Sequence, residues 1–237
     1  MTIFQLLIVA IIQGLTEFLP ISSSGHLALL PQVTGTQDQG LAIDVAVHVG
    51  TLLAVIIYFW QDVQVAIIGV FRLARGKIDT QGAFLALCLI LGTVPVLLVG
   101  LIIKLTGLDE LMRSVTVIGW TMLIFGLVLY WADRTGDTTK TSDRWTLKDA
   151  VIMGLAQCLA LIPGTSRSGI TITAARKLGY ERQGAAKLSM LMSIPVIIAS
   201  GAIESIEIIN SANWDLMRSA MFAAFFAFLA ALLALSI

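Results

Sequence analysis

Long apolar runs separated by short polar breaks dominate the chain. Five of them, roughly 41–60, 83–104, 112–131, 185–202 and 217–237, approach the ~20 apolar residues that a membrane-crossing helix needs. Two more, 2–19 and 147–162, are comparable in length but each runs into a proline and a cluster of Gly and Ser, after which a short apolar helix follows. The first reads helix, "PISSSG", then "HLALLPQ"; the second reads helix, "PGTSRSG", then "ITITAARKLG". Backbone outside a helix is tolerated at membrane depth only where protein or a watery cavity satisfies its N–H and C=O groups. The pattern predicts an all-α polytopic membrane protein: five or six spanning helices and two re-entrant helix–loop–helix segments in a single integral membrane domain over 1–237.

Composition agrees. At 57% hydrophobic and 13% charged, the chain holds about half the charge of an ordinary soluble domain. No Lys or Arg precedes Arg72, so the start "MTIFQLLIVAII" lacks the basic region of a cleaved secretory signal, and the N-terminus is expected to stay on. Cys88 and Cys158 sit in apolar runs and read as small buried hydrophobes. Net charge is zero and no basic stripe with interleaved aromatics is present, which argues against a nucleic-acid partner.

The two broken segments also resemble each other. "GLTEFL" at 14–19 and "GLAQCL" at 154–159 are offset by 140 residues, and each is followed by a proline and a Ser- and Gly-rich turn. If each segment returns to its own side, three crossings separate them and the second is inverted. Loop 61–82, loop 132–148 and the stretch around 176–187 then share one side and carry 11 of the 15 basic residues. The other side holds Lys104, Arg113 and Arg218 at helix ends, while loops 31–40 and 203–216 contain Asp38, Glu204, Glu207 and Asp215 without a base. The positive-inside rule makes the first side cytoplasmic and the second periplasmic. Sequence match and charge bias thus predict an inverted repeat, repeat 1 over about 1–131 and repeat 2 over about 147–237, with the two loops meeting near the midplane. The third span of the first half would find its partner near 252–271, so repeat 2 is expected to lack its last spanning helix.

Both loops end at a helix start. Ser22, Ser23, Ser24, Ser166 and Ser168 are good N-caps, and the freed N–H groups with the helix dipole make each terminus suited to an anion. Arg167 adds a planar fork matched to phosphate or carboxylate, and an arginine at membrane depth is costly unless paired. Gln13 and Glu17 share a helix face at i, i+4, and Glu17 is the only acid in the first 37 residues. A carboxylate buried there is either kept protonated by desolvation or held ionised by Arg167 or a divalent cation. His26, following the three serines, is a candidate proton carrier or nucleophile, and Ser23 a candidate nucleophile or phosphate contact. Asp44 and His48, also i, i+4, could reach the same site or serve only their own helix.

"QGLTEFLPISSSGH" and "PGTSRSG" resemble the two signature motifs of the undecaprenyl pyrophosphate phosphatases of bacterial inner membranes, the family linked to bacitracin resistance. The likeness runs along nearly the whole chain. It implies dephosphorylation of undecaprenyl pyrophosphate to the monophosphate carrier of cell-wall synthesis, with Mg2+ or Ca2+ assisting. It carries to Gln13 and Glu17 as the metal-binding pair, to Ser22, Ser23 and His26 in the first loop, and to Arg167, with Ser166 beside it, in the second. Glu17, Ser23, His26 and Arg167 are the expected catalytic residues, and Ser24 and Ser168 at the two helix starts join Ser22, Ser166 and Arg167 as expected phosphate contacts. Gln13 fills a position that is Glu in other members, which weakens a two-carboxylate metal site, and Ser24 and Thr165 stand where other residues occur and are expected to matter less. The expected partners are the polyprenyl diphosphate and membrane lipid, with a homodimer as the candidate assembly. Two competing readings are a secondary transporter or lipid-phosphate translocase, since inverted repeats with broken helices are equally a transporter signature, and an intramembrane serine hydrolase.

Overall fold

The computed structural model describes residues 1–108, 114–209 and 214–237, without the side chains of 203–209. Arg113 and the side chains of Glu204 and Glu207 lie outside the described residues. Ten α-helices follow one another among the described residues: α1 (Ile3–Thr16), α2 (Ser23–Thr34), α3 (Leu41–Tyr58), α4 (Trp60–Leu73), α5 (Gln81–Thr106), α6 (Val115–Thr135), α7 (Leu147–Gln157), α8 (Arg167–Lys177), α9 (Arg182–Ile209) and α10 (Trp214–Ser236). Five are long and apolar enough to cross a membrane: α3, α5, α6, α9 over Arg182–Ala202, and α10. Their outer faces present residues such as Leu101, Trp120, Leu127, Phe225 and Leu233, as expected of surfaces whose solvent is lipid. The chain is a multi-pass membrane protein.

The expectation of a loop over 61–82 is corrected. Residues 60–73 form α4, whose 14 residues extend only about 21 Å, short of the hydrocarbon core. Val63 faces inward while Gln61, Asp62 and Gln64 interrupt the apolar run, so α4 is an amphipathic surface helix rather than a span.

Helix α10 packs against both α1 and α3, and small residues let it do so. A Cβ on Gly14 would lie 2.5 Å from Ala230 Cβ and 2.7 Å from Ala227 O, and one on Gly50 would strike the carbonyl of Ala224. Without a hydrophobic driving force between helices in lipid, such close backbone approach supplies much of the association. The contact fixes α1, and α1 carries Gln13 and Glu17.

Helix α8 is fastened from its far end. Arg176, 2% exposed, donates from Nε to Asp133 Oδ1 at 3.0 Å and from Nη2 to the carbonyl of Asp133 at 2.9 Å, which ties the end of α8 to the end of α6. Arg182 shares the same carboxylate at 2.8 Å, and Lys140 donates its backbone N–H to the carbonyl of Gly179 at 2.9 Å. Bases from 132–148 and 176–187 therefore gather at one end of the molecule. Beneath them Tyr180 donates its hydroxyl to Asp149 at 2.7 Å, within a core that includes Cys88, Trp145, Met153 and Met192. With its C-terminal end held this way, α8 can present its first residue, Arg167, at a fixed place.

Candidate active site

Two interruptions in the helices build the site. Helix α1 ends at Thr16, Glu17 closes it with its N–H on the carbonyl of Gln13 at 2.9 Å, and the chain turns through 17–20 before α2 begins. Ser22 caps α2, accepting from the N–H of Gly25 at 3.1 Å, with its hydroxyl 3.2 Å from that of Ser24. The second interruption repeats this arrangement. After α7 a 3-10 turn, Cys158–Leu161, leads into Pro163 and Gly164, and Ser166 caps α8 by accepting from Gly169 at 3.0 Å, its hydroxyl 3.0 Å from that of Ser168. Gly164 is required by its φ of +88°, where a side chain would also run into Ile118. Ser168 Oγ donates to the carbonyl of Leu19 at 2.6 Å and so pins one interruption onto the other.

Each cap leaves the next residue as the first of its helix, and both of those residues reach Glu17. Ser23 Oγ donates to Glu17 Oε2 at 2.7 Å, and Arg167 Nη2 donates to Glu17 Oε1 at 2.7 Å. Gln13 Nε2 adds a third donor, 2.8 Å from Oε2. Glu17 is 7% exposed, and a carboxylate that deep needs such a set of partners, since an unpaired buried charge costs several kcal/mol.

Glu17, Ser22, Ser23, Ser24, Ser166 and Arg167 line a cavity of about 190 Å³, with His48, Thr165 and residues of α9 completing its wall. The expected phosphate contacts are thus brought together, Ser168 excepted, which is buried and spent on Leu19. His26 is not in that wall: its Nδ1 lies 2.7 Å from the carbonyl of Ser22, back along its own helix. His48 is in it, with Nε2 3.8 Å from Glu17 Oε2 and Nδ1 2.7 Å from the carbonyl of Asp44. The spacing of Asp44 and His48 brought this pair to notice, but the histidine meets the aspartate's backbone, and the Asp44 carboxylate takes Gln39 at 2.9 Å. Thr165, named in the sequence only as a departure from the family's motif, is in the wall as well.

The donor set leans towards anions. Arg167 Nη1 and Thr165 Oγ1 are buried without a partner, and two helix N-termini open on the same cavity. A cation finds less. No group of three or more His, Cys, Asp or Glu comes together among the described residues. Glu17 is a hard oxygen ligand on the cavity wall, whereas Gln13 turns its Nε2 rather than its Oε1 towards that carboxylate and is not in that wall. A single carboxylate fits Mg2+ where phosphate oxygens of a substrate and water fill the remaining positions. Chemically, the arrangement pairs a hydroxyl with a carboxylate that can take its proton and a guanidinium that can hold an anion beside it.

The family model for bacitracin resistance protein BacA matches residues 6–237. An undecaprenyl-diphosphatase of Roseobacter denitrificans is 72% identical over 237 residues, all of this chain and 89% of that protein. One of Dinoroseobacter shibae is 65% identical over the same shares, and one of Saccharophagus degradans is 50% identical over 213 residues, 90% of this chain and 80% of that protein. With nearly its whole length matched and its two broken turns joined at Glu17, the chain belongs to the bacitracin resistance protein BacA family.

Proposed function

We propose that this protein hydrolyses undecaprenyl pyrophosphate to undecaprenyl phosphate and inorganic phosphate, so recycling the lipid carrier of cell-wall synthesis and conferring bacitracin resistance. The names of its relatives support the substrate, and one observation supports the chemistry: Ser23 and Arg167 converge on Glu17 in a cavity of about 190 Å³. Arg167 and the two helix N-termini hold the diphosphate. Ser23 Oγ attacks the terminal phosphorus while Glu17 accepts the hydroxyl proton, and the P–O–P bond breaks with undecaprenyl phosphate leaving. Water then attacks the phosphoserine, inorganic phosphate departs and Ser23 recovers its proton. The proton role expected of His26 falls to Glu17 in this reading. A divalent cation, Mg2+ or Ca2+, held by Glu17 and, with its amide turned over, Gln13, would neutralise charge on the phosphoryl oxygens. Phosphoryl transfer depends mainly on positioning and charge stabilisation, which this set of groups can supply.

The isoprenoid tail has an exit. A cleft of about 90 Å³, walled by Met122, Phe125, Gly126 and Ile170, shares Ile21, Ser22 and Ser166 with the polar cavity. A polar head in one and an apolar tail in the other matches the chemistry of a polyprenyl diphosphate. We read the two interruptions as the re-entrant segments of an inverted repeat, supported by their matching caps, and the site as reached from the periplasmic face of the inner membrane, supported by the bases gathered at the opposite end.

Release of inorganic phosphate from undecaprenyl pyrophosphate by the purified protein in detergent, with and without a chelator, tests the proposal. Release that disappears in Ser23→Ala is expected. Its absence in the intact protein would favour a transporter, whose broken helices need no hydroxyl on a carboxylate.

A further inference from the structure

Two residues of the cavity wall each keep a buried polar atom that has no partner in the protein: Oγ1 of Thr165 and Nη1 of Arg167. Buried donors are almost always satisfied, because an orphan forfeits its hydrogen bonds to water and gains nothing in return. The turn that carries Thr165 cannot easily drift to mend this. Thr121 Oγ1 of α6 donates to the carbonyl of Pro163 at 2.6 Å, the N–H of Thr165 is bonded to the carbonyl of Ile162 at 3.0 Å, and Gly164 is confined by Ile118. The neighbouring donors have partners: Ser168 Oγ donates to Leu19, which leaves it to accept from Ser166 Oγ at 3.0 Å, and Arg167 Nη2 donates to Glu17.

We infer that Thr165 Oγ1 and Arg167 Nη1 together form a second anion cradle, which takes non-bridging oxygens of the diphosphate and makes Thr165 a substrate-binding residue. A guanidinium nitrogen offers only donors, so the ligand that satisfies it must accept. A threonine hydroxyl two residues away can donate to the same or the adjacent phosphoryl group. The division of labour in Arg167 follows: one nitrogen holds Glu17 and positions the fork, the other meets the substrate.

This assignment rests on the phosphatase reading and makes an unusual combined prediction. Thr165→Val keeps shape and volume while removing an unsatisfied buried hydroxyl. Its melting temperature should be equal to or above that of the parent, whereas KM for undecaprenyl pyrophosphate and the inhibition constant of inorganic pyrophosphate should each rise tenfold or more. Thr165→Ser should restore both constants to within about threefold. Unchanged constants in Thr165→Val overturn the cradle. A melting temperature that falls together with activity also overturns it, since that pattern belongs to a hydroxyl holding the fold. Direct calorimetric titration with inorganic pyrophosphate separates this from the function itself. If the parent protein hydrolyses no polyprenyl diphosphate but still loses pyrophosphate affinity on Thr165→Val, the phosphatase reading fails and the cradle stands.

Discussion

Glu17 and Arg167, 150 residues apart in the chain, meet at 2.7 Å, and Ser23 lies 2.7 Å from the other oxygen of the same carboxylate. The pair serves two ends. It offsets two charges that would be prohibitive alone at this depth, and it aims a guanidinium and a hydroxyl into one cavity. Much of the site's behaviour on mutation follows from this double duty.

Arg167→Lys should keep the charge and lose the fork. An ammonium cannot satisfy Glu17 and a phosphoryl oxygen at once from two rigid, coplanar nitrogens. Taking the loss of one preorganised oxyanion donor as the scale, about 2–4 kcal/mol of transition-state stabilisation should disappear. That corresponds to roughly a hundredfold or more in kcat/KM. Steady-state kinetics and a melting curve on the same preparation check it. A Lys variant with parental kcat/KM would remove Arg167 from the chemistry.

Ser23→Ala should abolish turnover without unfolding the protein. The hydroxyl is one of three donors to Glu17, and Gln13 and Arg167 remain. Brief incubation of the parent with substrate labelled in its terminal phosphate, followed by acid quench, should leave label on the protein, and Ser23→Ala should leave none. Label retained by the Ala variant would place the nucleophile elsewhere.

Gly126→Leu should separate head from tail. A Cβ at Gly126 meets no atom within 4 Å and the residue lines the cleft, so a leucine there should narrow it without a clash at its Cβ. Hydrolysis of undecaprenyl pyrophosphate should fall at least tenfold in kcat/KM, while a methyl diphosphate, which has no tail to place in the cleft, should be affected less than threefold. Equal effects on the two substrates would send the tail along another path.

Cysteines at Gln37 and at Thr138 test orientation. Both positions are exposed, Gln37 on the base-free side and Thr138 among the gathered bases. An impermeant thiol reagent on intact cells should label residue 37 and spare residue 138. The reverse result would invert the molecule and close the periplasmic route to the site.

The spans were legible to within a few residues, because about 20 apolar residues admit few other structures in a chain this poor in charge. The two interruptions were legible too, since Pro20 and Pro163 with their serines stop one helix and cap the next. Helix α4 was not: its Asp and Gln break the hydropathy that reveals a span, and its amphipathic period looks like a loop when only charges are counted. His48 was readable as a candidate but not as a wall of the site, because that depends on how α3 is rotated about its own axis against α10. Thr165 stood out only as a departure from the family's motif, and its place in the site was hidden for a different reason. Being unsatisfied is a property of surroundings, and no residue type or spacing encodes it.

The close packing of α10 on Gly14 and Gly50 also sets an order of events during synthesis. The ribosome makes Glu17 first, its arginine 150 residues later, and the helix that braces α1 later still. Until then the nascent chain carries an acid in a segment too short to cross the bilayer securely, with neither its counter-charge nor its supporting surface. Assembly of the site therefore waits for α10, and whatever shelters Glu17 in the meantime, water or the insertion machinery, must release it when that helix arrives.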